Sequence, residues 1–102
     1  MEPGKYSYLR VSRDSMIGAD IHNGDIVLVR RSSKPKTGDI VVAITDGETA
    51  TLKTLHIYDD HVELRPENPE FDTIEIGMDR FTVGTAGIIG VFVTVIDKRK
   101  EN

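Results

Sequence analysis

The chain has 102 residues, of which 38% are hydrophobic and 29% charged, with a net charge of −4 and no cysteine. That length holds one modest core, and the composition is that of an ordinary folded domain rather than a disordered or membrane-spanning chain. The missing cysteines exclude disulfides, thiolate nucleophiles and cysteine-ligated zinc, and the acidic balance is the wrong sign for a face that grips nucleic-acid phosphates.

In chain order the pattern is that of strands. "KYSYLRV" (5–11) alternates, "DIVLVRR" (25–31) and "DIVVAI" (39–44) are short β-branched runs, and "TATLKTLHIY" (49–58) alternates over a longer span. "HVELR", "TIEI" and "GIIGVFVTVID" follow, and no segment carries a helical period over a helical length. Only "SMIGADI" (15–21) has room for a helical turn.

Turn chemistry separates these runs. Asn23-Gly24-Asp25 and Thr37-Gly38-Asp39 each precede a strand, Asp46-Gly47 marks a tight hairpin, and Asp59-Asp60 turns the next one. "RPENPEF" reads as a loop because Pro66 and Pro69 each lack a ladder donor and restrict the residue before them. The expected fold class is therefore all-β: a single domain over 1–102, built of antiparallel strands and hairpins with at most a short helical turn.

The last strand is apolar at nearly every position from Ile88 to Ile96, more than one buried face requires. Two-sided burial is expected, either inside one core or against a second subunit. The tail "KRKEN" reads as a solvated end. No apolar run approaches the roughly 20 residues that span a bilayer, and "MEPGKYSYLR" lacks the apolar region of a signal peptide, so the expected compartment is the cytoplasm.

His22, His56 and His61 have no metal-ligand spacing and read as surface or turn positions, so no metal site is expected. No G-x-S-x-G elbow supports a Ser-His-Asp triad. A serine can instead be activated by a lysine that burial keeps uncharged. Lys5, Lys34, Lys36, Lys98 and Lys100 lie in polar or terminal stretches and read as solvated. Lys53 alone sits within a strand-like run, between Leu52 and Leu55, with Thr49 and Thr51 on its own face. Alternation leaves two readings open: a lysine whose stem lies along the sheet with its charge in water, or a buried base.

The succession "DSMIGADIHNGDIVLVRRS", "PKTGDIVVAITDGETATLKTL", "VELRPENPEF" and "GIIGVFVTVI" closely resembles the C-terminal domain of the LexA family, which includes UmuD and the self-cleaving prophage repressors. The resemblance runs from about Val11 to Ile96. It implies a β-fold shared distantly with signal peptidases, with Ser15 as nucleophile and Lys53, 38 positions later, as general base. It further implies backbone N–H groups of Asp14 and Ser15 as oxyanion donors, Met16 as an anchor in the core, and no cofactor. The implied partners are a second copy through the C-terminal strands, the RecA filament on single-stranded DNA as activator, and DNA through a separate N-terminal domain.

Two positions depart from the family pattern. Arg13 stands where the family more often has glycine, a residue that frees the backbone just before Asp-Ser-Met. Family members are cut at an Ala-Gly or Cys-Gly bond upstream of the serine, whereas here the sole upstream glycine, Gly4, follows Pro3. Ala86-Gly87 lies downstream, where a cut would destroy the domain. The chain is thus expected to be a truncated or already cleaved catalytic domain, or a stand-alone relative like processed UmuD. A domain that works as a non-catalytic dimerisation module is the alternative reading; a signal-peptidase-like enzyme is disfavoured by the lack of an apolar span.

Overall fold

A computed structural model describes residues 5–32, 34–45, 49–79 and 86–98. Seven strands appear among them: β1 (Tyr6–Arg10), β2 (Ile26–Arg30), β3 (Ile40–Thr45), β4 (Thr49–Ile57), β5 (His61–Arg65), β6 (Ile74–Gly77) and β7 (Ala86–Asp97). Every pairing is antiparallel, and the order across the sheet is β1-β2-β7-β3-β4-β5-β6. The all-β class read from the sequence is the fold observed. A single 3-10 turn, Ile17–Ala19, occupies the stretch expected to hold a helical turn.

Local chemistry accounts for the connections. Gly24 and Gly38 adopt φ of 92° and 98°, which side chains rarely tolerate, and each opens the entry to the next strand. The Tyr58 N–H donates to the His61 carbonyl at 2.9 Å, closing the β4–β5 hairpin around Asp59-Asp60. The Asp46-Gly47 turn lies outside the described residues; on either side of it Thr45 pairs with Thr49. Most of the "KRKEN" tail lies outside them too.

β7 organises the sheet because it pairs twice. Its first half runs along β3 (Ala86 with Thr45 through Val91 with Val41), and its second half along β2 (Val91 with Arg30 through Asp97 with Ile26). Register shifts on both partners bend the strand, as extra residues in a ladder do. A Cβ on Gly90 would run into the Val29 side chain and lie 3.0 Å from the Arg30 carbonyl oxygen, so the strands approach closely only because that side chain is missing.

The bend leaves two apolar clusters. One gathers Val41, Ala43, Leu55, Val62, Leu64, Ile76 and Val91; the other gathers Val11, Met16, Ile21, Val27, Val29, Val42 and Leu52. Adjacent residues of one strand, such as Val41 and Val42, go to different clusters because successive side chains point to opposite faces. Complete burial of a valine or leucine such as Val27 or Leu55 is worth about 1.5–3 kcal/mol.

The expected two-sided burial of β7 is not reached within one chain. Val91 is buried, but Ile89, Val93 and Ile96 remain 49%, 45% and 49% exposed. Neighbouring strands cover the edges of β7, and these three are the residues that its register with β2 and β3 skips, so among the described residues they are left unburied. Nor is any helix long and apolar enough to cross a membrane among them.

Candidate active site

The segment between β1 and β2 leaves the sheet at Val11 and returns at Asp25. Its ends are tied together: the Val11 N–H donates to the Asp25 carbonyl and the Gly24 N–H to the Val11 carbonyl, both at 2.8 Å. Within the excursion, the side chains of Asn23 and Asp14 each accept a backbone N–H from the opposite side of the turn. The Arg13 N–H donates to Asn23 Oδ1 at 3.0 Å, and the Asn23 N–H donates to Asp14 Oδ1 at 2.9 Å. Arg13 takes φ of 72°, the left-handed conformation for which glycine is suited, so the arginine is held in a backbone state that costs roughly 1–2 kcal/mol.

Met16 is 1% exposed in the second cluster and pins the far side of the turn. The proline-flanked loop after β5 supplies the remaining restraint. Asn68 Nδ2 donates to the Asp14 carbonyl at 2.8 Å, the Glu67 N–H to the Ser15 carbonyl at 2.7 Å, and the Gly18 N–H to the Glu67 carbonyl at 2.7 Å. Ser15 is thereby fixed from both sides and only 6% exposed.

Lys53 comes from the opposite direction. It lies on β4 across from Val41, is 6% exposed, and is a buried amine whose bonded partners are hydroxyls, with no carboxylate among them. Its Nζ donates to Thr51 Oγ1 at 2.6 Å and to Ser15 Oγ at 3.2 Å. Burial, and secondarily the nearby Arg13 charge, pushes its pKa below the ordinary lysine value. Of the two sequence readings of Lys53, the buried one is the geometry found. A cleft of about 300 Å³ opens over the pair, lined also by Arg13, Thr51, Phe71 and Asp72.

Among the described residues, the backbone N–H groups of Asp14 and Ser15 donate to no acceptor. Asn68, Asn23 and Glu67 were not legible as site residues in the sequence. The one available signal was the placing of an asparagine between Glu67 and Pro69 in a loop otherwise expected to be exposed, and Asn68 is in fact 6% exposed. Lys98 is exposed, as its solvated reading had it, and also reaches the fold: its Nζ lies 3.2 Å from Oδ2 of Asp25, a carboxylate 1% exposed that also accepts the His22 N–H.

The histidines stand away from the Ser15–Lys53 contact. His61 Nε2 faces Glu63 Oε2 at 3.3 Å and Glu75 Oε1 at 3.8 Å, donor atoms that converge well enough to hold an ion, although Arg65 already pairs with Glu63. Its Nδ1 faces Asp60 Oδ1 at 2.6 Å, and that contact leads in raising its pKa above the ordinary histidine value. A larger groove of about 600 Å³, lined by Tyr8, Leu9, Val29, Val42, Ile88 and Ile89 among others, contains no buried titratable group.

A serine hydroxyl held against a buried amine, in an all-β domain, is the setting of hydrolases that activate serine without histidine. The chain belongs to the Peptidase S24-like family, whose model matches residues 1–93. It is 52% identical over 68 residues to the LexA repressor of Magnetococcus marinus, covering 67% of this chain and 29% of that protein. It is 43% identical over 93 residues to LexA repressor 1 of Geobacter sulfurreducens, covering 90% and 46%. LexA repressor 2 of the same organism is 47% identical over 88 residues, covering 86% and 41%. The chain thus spans less than half the length of these curated relatives.

Proposed function

We propose that this chain is the autoproteolytic and dimerisation domain of a LexA-like transcriptional repressor, with Ser15 as nucleophile and Lys53 as general base. The observation that carries this reading is the 3.2 Å contact between Lys53 Nζ and Ser15 Oγ, with both residues only 6% exposed. Uncharged Lys53 takes the hydroxyl proton as Ser15 Oγ attacks a peptide carbonyl, and the ammonium so formed protonates the leaving amine. Water then hydrolyses the ester to Ser15, with Lys53 again as base. The unengaged N–H groups of Asp14 and Ser15 stabilise the developing oxyanion, each contributing about 3 kcal/mol. Thr51 orients the amine.

The substrate is a peptide segment of the repressor itself, and the RecA filament on single-stranded DNA stimulates the cut, as the family resemblance implies. DNA is held by a separate N-terminal domain, and the exposed residues of β7 pair with a second copy. The test is intact-mass detection of a fluorophosphonate adduct between pH 7 and 10. The adduct is expected to grow with pH in the wild-type chain and to vanish in Ser15→Ala and Lys53→Ala; an adduct that survives Lys53→Ala would remove the lysine from the mechanism.

A second reading, a UmuD-like module that acts mainly by dimerisation and partner binding, is favoured by the exposed Ile89, Val93 and Ile96. It leads if no adduct forms at any pH.

A further inference from the structure

The arginine before Asp14-Ser15 is the one charged group, besides Lys53 and Asp72, that lines the 300 Å³ cleft. Its backbone is not free to drift. The left-handed φ of 72° and the bond from its N–H to Asn23 Oδ1 fix the backbone, and the clasp between Asn23 and Asp14 fixes the residue that follows. The guanidinium has no hydrogen-bond or ion-pair partner among the described residues. A cation that lines the same cleft as a buried amine disfavours that amine's charged form.

We propose that Arg13 is a positioning residue of this site, a charge that acts on Lys53 across the cleft the two residues share and not by contact with the reacting atoms. This rests on the reading of Lys53 as the general base. The groups facing Lys53 are few. The Ser15 turn presents Arg13, with the Asp14 carboxylate turned to Asn23; the segment before β6 presents Asp72; β3 presents Val41 opposite; β4 itself presents Thr51. Asp72 opposes Arg13 in sign, and it makes no ion pair with Lys53. Burial remains the larger influence on Lys53, and Arg13 adds to it in the same direction.

The same geometry explains how this chain tolerates arginine at a position suited to glycine. The backbone strain accompanies a charge that favours the uncharged base, a trade of local stability for function of the kind found at active sites.

The experiment reads Lys53 directly. Lysine side chains labelled with ¹³C at Cε are titrated by NMR in the wild-type chain, Arg13→Gln and Arg13→Lys, at low and at high salt, alongside the fluorophosphonate labelling rate. In Arg13→Gln the Lys53 midpoint moves to higher pH, and labelling below the midpoint slows about threefold, the effect of one like charge several ångströms away in a high dielectric. Arg13→Lys keeps the wild-type midpoint. Salt narrows the gap between the wild-type and Arg13→Gln midpoints, because screening weakens the one charge by which the two chains differ and acts on Asp72 in both. Equal midpoints in the wild-type chain and Arg13→Gln at low salt would overturn the proposal. Failure of the base assignment looks different: labelling would be unaffected by Lys53→Ala, while the NMR titration still reports whether Arg13 acts on Lys53.

Discussion

Asn68 Nδ2 donates to the carbonyl of Asp14 at 2.8 Å, a bond that joins residues 54 positions apart and holds the serine turn against the loop after β5. Asn68 Oδ1 accepts from the Glu70 N–H at 3.0 Å, so the same side chain also shapes its own loop. Asn68→Asp keeps the acceptor and loses the donor; Asn68→Ala loses both. Leaving the Asp14 carbonyl without this donor costs about 1–3 kcal/mol in urea unfolding for either variant. Loosening of the Ser15 turn lowers the labelling rate by about tenfold or more. Wild-type labelling in Asn68→Asp would show that the turn holds its shape without this bond.

Lys53 gives a stability prediction with a definite sign. Its folded pKa lies below the ordinary value, so between the two values the unfolded chain binds a proton that the folded chain does not. Stability therefore rises with pH across that window and stays at its lower level beneath it. Lys53→Met removes the penalty: the variant is expected to be more stable than the wild-type chain near pH 7 by about 1 kcal/mol, and inactive. The difference shrinks as the pH approaches the ordinary lysine value. Thermal unfolding across pH checks this, and a variant less stable than the wild-type chain at pH 7 would contradict it.

Arg13 and the left-handed glycines make opposite predictions about backbone strain. Arg13→Gly relieves the conformation at φ 72° and is expected to gain roughly 0.5–1 kcal/mol, the relief exceeding the added freedom of the unfolded chain. Gly24→Ala and Gly38→Ala, at φ 92° and 98°, each lose about 1 kcal/mol or more. Chemical denaturation of the three variants is sufficient. A loss of stability in Arg13→Gly would mean that the arginine side chain makes up for its backbone.

The exposed residues of β7 are the expected self-association surface. Val93→Asp with Ile96→Asp places two charges where Val93 and Ile96 are 45% and 49% exposed, so the fold is kept and association is lost. Sedimentation equilibrium should find the wild-type chain dimeric and the double variant monomeric. Fluorophosphonate labelling of Ser15 should survive in the double variant. A wild-type chain that stays monomeric at high concentration would remove the dimer from the proposed function.

Gly90 tests the close approach of β2 and β7. Gly90→Ala would force its Cβ into Val29 and against the Arg30 carbonyl, and backbone cannot yield as a flexible side-chain tip can. A loss of about 1–3 kcal/mol is expected. Unchanged thermal stability would show that β7 can shift in its ladder at low cost.

Much of the fold was legible because its signals are local. The β-branched runs, the turns at Asn23-Gly24 and Thr37-Gly38, and the prolines around Asn68 define the strands to within a residue or two of their observed ends. These follow from backbone preference and period-two patterning, which each segment carries by itself. The family membership was legible for a related reason: the order of short motifs is a property of the chain, independent of any coordinate.

The tertiary structure decided what depends on distant partners. Alternation puts Lys53 and Leu55 on one face of β4, but not whether that face meets water; the Ser15 turn and the loop carrying Asn68 close over it only in the folded sheet. Lys98 stays exposed, as its place in a charged tail suggested, but its pairing with Asp25, 73 positions earlier, is likewise set by the fold. For β7, apolar at nearly every position, only the sheet could show which residues are buried from within and which are left exposed. Desolvation and charge pairing are set by what packs around a residue, and that information is spread over the whole chain.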